Sequence, residues 1–131
     1  MDLIADTTLL VGLWRRQAWA MRFAERRSDR ILGIPWVVLG EFRHGAIRAG
    51  HDEKQVLDFL SIGIPLCDPE SVVPYYAQLC ASLQDQSGWK QIGQNDLWIA
   101  ATAIAHQCPL VTRNLRHFGL MAGLTVEALE G

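Results

Sequence analysis

Asp6, Glu41 and Asp96 each stand within or beside an apolar run. Asp6 closes Leu3-Ile4-Ala5, Glu41 interrupts the stretch from Ile34 to Phe42, and Asp96 opens Leu97–Ala105. A carboxylate whose neighbours are bound for a core must be paired, protonated or bound to a cation. Three carboxylates drawn together repel, and a divalent cation relieves that repulsion. Oxygen donors of this kind suit Mg²⁺ or Mn²⁺. Each acid also has a plainer reading. Asp6, followed by Thr7 and Thr8, can cap a helix. Asp96 can sit in a first helical turn, where the macrodipole favours negative charge. Glu41 falls in mid-helix, where no cap is made, and can instead face solvent or pair with Arg43 or His44. Their joint occurrence near strand ends points to a shared acidic site.

Sulfur and imidazole chemistry have less support. Cys67, Cys80 and Cys108 are odd in number and widely spaced, so buried reduced thiols are expected. His44, His51, His106 and His117 lack the i,i+4 spacing of a helical zinc pair. Net charge is −2, yet six arginines lie between Arg15 and Arg30 against Glu25 and Asp29. Arg15, Arg22 and Arg26 are spaced to share one helical face, either a solvated face or a phosphate-contacting stripe, and a basic amphipathic helix is expected over roughly 16–28. Arg113 and Arg116, flanking Asn114, form a second small basic set.

These side chains need a scaffold. The 131 residues are half hydrophobic and one-fifth charged, which predicts one globular domain over 1–131. The longest apolar stretch is too short to span a bilayer, and the start does not read as a signal peptide, so a cytoplasmic protein is expected. Strands are predicted at Leu3–Ala5, Ile31–Ile34, Ile62–Cys67 and Leu110–Thr112, with a fifth at the edge over Leu124–Glu127. Helices are predicted from Thr8, over 16–28, from Pro35 to near Gly50, over Asp52–Leu60, over Glu70–Ser87, and from a cap at Asn95 to His106. In the second of these, Ala18, Met21, Phe23 and Ala24 are candidates for the inward face. Short apolar strands alternating with helices predict an α/β fold with a parallel sheet covered on both faces. Its ligand site should lie beyond the carboxyl ends of the strands.

Four segments resemble the motifs of PIN-domain ribonucleases, and the wider pattern resembles the VapC toxin family. They are Asp6-Thr7-Thr8-Leu9-Leu10-Val11, Gly40-Glu41-Phe42-Arg43-His44-Gly45-Ala46, Ile92–Ala103 with Asp96, and Leu110–Phe118 followed by Gly123-Leu124. The third is the most distinctive, and the likeness runs in order from about residue 3 to 127. It implies a three-layer α/β/α PIN-like fold with a short-stranded, mainly parallel sheet. It implies a metal-dependent endoribonuclease in which Asp6 and Asp96 are the principal Mg²⁺ or Mn²⁺ ligands. Glu41 would complete the acidic cluster as a metal ligand or water-positioning group, and Asn114 matches a position where many PIN domains carry a fourth acid. Thr7 and Thr112 remain as polar support, since Pro35 and Val38 stand where relatives often carry hydroxyls. The resemblance further implies an RNA substrate, an antitoxin that fills the groove, and a homodimer. Rival readings are a housekeeping RNA-processing nuclease and a non-catalytic RNA- or metal-binding module.

Overall fold

Runs of three or four apolar residues between helix caps are long enough only for short strands. The structure, a computed structural model, describes residues 1–129. Its strands are β1 (Leu3–Ala5), β2 (Leu32–Pro35), β3 (Ile64–Leu66), β4 (Leu110–Thr112) and β5 (Val126–Ala128). Its helices are α1 (Thr7–Trp14), α2 (Ala18–Arg26), α3 (Trp36–Arg48), α4 (Glu53–Leu60), α5 (Val73–Leu83), α6 (Gln94–His106) and α7 (Leu115–Phe118). The strands form one sheet in the order β3-β2-β1-β4-β5, and every pairing is parallel. Ile4 is in register with Gly33 on one side and Leu110 on the other. Successive residues of β1 and β4 are all buried, so both sheet faces are covered by helices. This is the α/β architecture expected from the sequence.

The core gathers Leu3, Ile4, Leu9, Leu10, Ile34, Val38, Ile99, Ala100, Leu110 and Val111 around the two central strands. Apolar burial of this kind contributes roughly 25 cal/mol per Å² removed from water. Two aromatic groups extend it. Trp14 packs edge-on to Phe42 and Phe59, and Trp98 stacks on Tyr76 at 3.7 Å while lying against Trp36.

Several elements depart from the sequence expectations. The basic helix expected over roughly 16–28 is present as the shorter α2: α1 ends at Trp14, and the chain reverses through Arg16 at φ 54° before α2 begins. Arg15 therefore does not share a helix with Arg22 and Arg26, and the three-arginine face does not form. Ala20, not Ala18, is buried on α2 beside Phe23. The third strand is shorter than expected because Ile62 and Gly63 donate back into the end of α4. As an edge strand it leaves Ile64 and Pro65 exposed. Helix α5 is also shorter, since Asp68–Ser71 forms a hydrogen-bonded turn and Gln86 turns back onto Leu83. Only Leu79 and Leu83 of α5 are fully buried, with Tyr76 and Cys80 partly so and Val73 and Ala77 exposed. The thiols are free, but Cys67 is exposed and Cys80 and Cys108 are only partly buried. Cys67 is exposed because it follows the edge strand instead of entering the core. Among the described residues no helix is long and apolar enough to cross a membrane.

Candidate active site

Chain order fixes where the acids meet. From β1 the chain runs out to β2 and β3 on one side, and from β4 to β5 on the other. The boundary between β1 and β4 is thus the topological switch point, where a crevice opens beyond the strand ends. Asp6 follows β1 directly, and Thr112 ends β4. Glu41 comes from the middle of α3 and Asp96 from the first turn of α6.

Asp6 is the buried member, at 4% exposure. It is the N-cap of α1, so its Oδ1 accepts from the Leu9 backbone N–H at 3.0 Å. The Thr8 hydroxyl donates to both carboxylate oxygens at 2.8 and 2.9 Å. Thr112 reaches across from β4 and donates to Oδ2 at 2.5 Å. The cap reading and the functional reading are therefore compatible, because one carboxylate does both. Burial nevertheless pushes the Asp6 carboxyl above its ordinary range, against the lowering effect of these hydrogen bonds. The negative charge of Asp96 pushes in the same upward direction, which places the two acids in electrostatic contact.

Glu41 is tied to the chain neighbours of both aspartates. Its Oε1 accepts from the Thr7 hydroxyl at 2.6 Å, and its Oε2 accepts from the Asn95 amide at 3.2 Å. Thr7 adjoins Asp6, and Asn95 adjoins Asp96. Neither Arg43 nor His44 is its partner in these bonds; Arg43 pairs with Glu53 instead. Asn95 does not cap α6 as expected. Gly93 occupies the N-cap position, which leaves the Asn95 side chain free to reach Glu41.

Asp96 faces His117 of α7, with Oδ2 3.4 Å from Nδ1. Asn114 stands between β4 and α7 and is partly buried. Its backbone N–H donates to the Thr112 hydroxyl at 2.9 Å, while its side chain does not cap α7. Asp6, Glu41, Asp96 and Asn114 thus reach one end of the sheet. Among the described residues, no three His, Cys, Asp or Glu side chains are disposed to hold a metal ion as they stand. Each acid is turned to its own polar partner: Glu41 to Thr7 and Asn95, Asp96 to His117.

Sequence reasoning named Thr7 and Thr112 as polar support, and the structure bonds each to an acid. It missed Asn95 as a Glu41 partner and passed over His117. The available signal for His117 was its place five residues beyond the fourth strand, in the segment that also carries Asn114.

Comparison with known proteins identifies the family of the chain. The PIN domain family matches residues 3–123. Ribonuclease VapC4 of Mycobacterium tuberculosis is 31% identical over 120 residues, covering 85% of each chain. Ribonuclease VapC1 of Rickettsia felis is 30% identical over 135 aligned positions, covering 96% of this chain and 95% of that protein. Among solved structures, the complex of VapBC2 from Rickettsia felis with a promoter DNA fragment superposes with a TM-score of 0.80. It is 25% identical, over 99% of this chain and all of its counterpart. From the crossing point of its parallel sheet to the length of these matches, this chain belongs to the PIN-domain family, among the VapC ribonucleases.

Proposed function

We propose that this protein is an endoribonuclease toxin that hydrolyses RNA phosphodiester bonds with a divalent cation, Mg²⁺ or Mn²⁺. The observation that carries the reading is the tethering of Glu41 to Thr7 and Asn95, the neighbours of Asp6 and Asp96. That tethering holds three acids from three distant segments at the switch point of the sheet. Their donor chemistry suits a hard cation, and the like-charge coupling of Asp6 to Asp96 is the stress a cation relieves. Asp6 and Asp96 would hold it, after a side-chain rotation that turns Asp96 from His117. When bound, the cation would supply charge neutralisation at the phosphate and acidify water.

The remaining work falls to the chain. Thr8, Leu9 and Thr112 fix the Asp6 carboxylate, so its orientation is set before substrate arrives. Glu41, held by both oxygens, orients the attacking water and accepts its proton. In-line attack of that water on phosphorus breaks the bond to the 3′-oxygen, which takes a proton from solvent, and leaves a 5′-phosphate and a 3′-hydroxyl.

The named ribonuclease relatives support the activity, and the VapBC2 complex supports a protein partner. We place that partner, an antitoxin, over the groove beside the acids, and take the toxin to work as a homodimer. The test is cleavage of total cellular RNA by purified, antitoxin-free protein, with Mg²⁺ or with EDTA, beside Asp96→Asn. Discrete products that require both the cation and Asp96, and that carry 5′-phosphates, are expected. Folded protein that binds Mg²⁺ and leaves the RNA intact would favour a binding module.

A further inference from the structure

A cavity of about 500 Å³ opens beside the acidic site, lined by Thr7, Thr8, Val11, Gln17, Trp19 and Arg113. Two of its walls are the back of the site itself. Thr7 and Thr8 donate to Glu41 and Asp6, and Arg113 directly follows the Thr112 that donates to Asp6. The far wall is Trp19, with the Arg113 guanidinium carbon 4.4 Å from its ring centroid. Trp19 is seated against α1 at Gly12, where an added Cβ would lie 2.4 Å from the ring. The ring's position therefore depends on a glycine in mid-helix. Trp19 packs against the core yet stays only partly buried, and Arg113 is exposed, so part of the pair faces solvent.

This combination has a chemical meaning. A guanidinium lying over an aromatic ring can carry an unpaired base on its outer side, and the same guanidinium can contact a phosphate. The volume lies in the range of small-ligand pockets. Gln17 and the threonine hydroxyls bring donors and acceptors to the edge of whatever lies on the platform. The Arg113 guanidinium and the wall of threonines bonded to the acids favour a nucleotide over an apolar peptide. A second cavity, about 600 Å³ and lined by Trp14, Phe23, Phe59, Arg16, Arg27 and Arg30 among others, includes no residue bonded to the acids of the site.

We propose that this cavity is a nucleotide subsite holding the base next to the scissile phosphate, stacked on Trp19 and Arg113. The inference rests on the ribonuclease reading and adds substrate-binding residues outside the acid set. It is tested with a short single-stranded RNA pool carrying a fluorescent purine analogue. Binding is measured to cleavage-deficient Asp96→Asn protein, alone and combined with Trp19→Ala, Trp19→Phe or Arg113→Ala. Thermal unfolding of each variant verifies that it is folded. Trp19→Ala is expected to weaken binding by about five- to a hundredfold and to remove the quenching of the analogue that stacking causes. Trp19→Phe should retain most of both. Arg113→Ala should weaken binding and reduce its salt dependence by about one phosphate contact. In the cleaving protein, Trp19→Ala should lower kcat/KM chiefly through KM.

Unchanged RNA affinity and cleavage in folded Trp19→Ala and Arg113→Ala proteins would overturn the subsite while leaving the nuclease intact. The same result with lost affinity for the protein partner would assign the platform to that partner instead. Failure of the wild-type acids to support either cleavage or RNA binding would remove both readings.

Discussion

Burial holds the Asp6 carboxyl above its ordinary range, and this has a consequence for stability as well as for chemistry. An acid with a raised folded-state pKa keeps its proton more firmly in the folded protein than in the unfolded chain. Stability is then greatest where Asp6 is protonated, and it falls as pH rises from the ordinary carboxylate range through the raised value. Asp6→Asn should therefore unfold at higher temperature than the native protein at neutral pH in cation-free buffer, while losing cleavage. The gap should close as pH falls below the ordinary carboxylate range. Parallel pH profiles for the two proteins would refute this assignment of the cost. Thr112 allows a complementary test, because its hydroxyl donates to Asp6 and accepts from the Asn114 backbone. Thr112→Val should lower stability by about 1–3 kcal/mol in denaturant unfolding, the cost of leaving buried polar groups unpaired. It should also cut cleavage at least about tenfold, as expected when a supporting hydrogen bond fixes a reacting group. Thr112→Ser should recover most of both, and a Val variant as active as native protein would count against Thr112 as a positioning residue.

At the scale of elements, α1 is the piece on which the site turns. Its N-cap is Asp6, its first turn supplies Thr7 and Thr8, and Gly12 on its inner side leaves room for Trp19 of α2. Gly12→Ala would drive a Cβ into the indole and should cost about 1–3 kcal/mol, an overpacking effect. Gly40, on α3 beside Glu41, has open space where its Cβ would be. Gly40→Ala should instead stabilise by about 0.5–1 kcal/mol through helix propensity. Opposite signs in chemical denaturation are the expected result, and a destabilised Gly40→Ala would show that α3 is packed differently. The same elements show what could be read from the sequence. Acids set in apolar runs are visible one-dimensionally, and so Asp6, Glu41 and Asp96 were legible. Which residue pairs with which acid was less so: Thr112 lies 106 residues from Asp6, and Asn95 lies 54 from Glu41. Such pairs are chosen by sheet order, which no local pattern encodes. The arginine face failed for a related reason, since amphipathic spacing continued unbroken through a backbone reversal at Arg16.

For the whole molecule, the fold holds Asp6 at a crossing point where burial and the nearby charge of Asp96 both work against its ionised form. A ligand that binds only the folded chain must then raise stability by RT ln(1 + [L]/Kd), about 2.7 kcal/mol at a hundredfold excess over Kd. Mg²⁺ or Mn²⁺ should raise the Tm of native protein by several degrees, and EDTA should reverse the rise. Asp6→Asn and Asp96→Asn should respond weakly, because each removes one of the two acids that would hold the cation. Glu41→Gln should keep more of the thermal response while losing cleavage, since its proposed task is the water. Calorimetry across a cation titration separates these cases, with cleavage assayed in the same samples. A Tm indifferent to the cation, with cleavage surviving EDTA, would shift the chemistry to the RNA's own 2′-hydroxyl. Glu41 and His117 would then be the acid and base at hand, and the products would end in 2′,3′-cyclic phosphates.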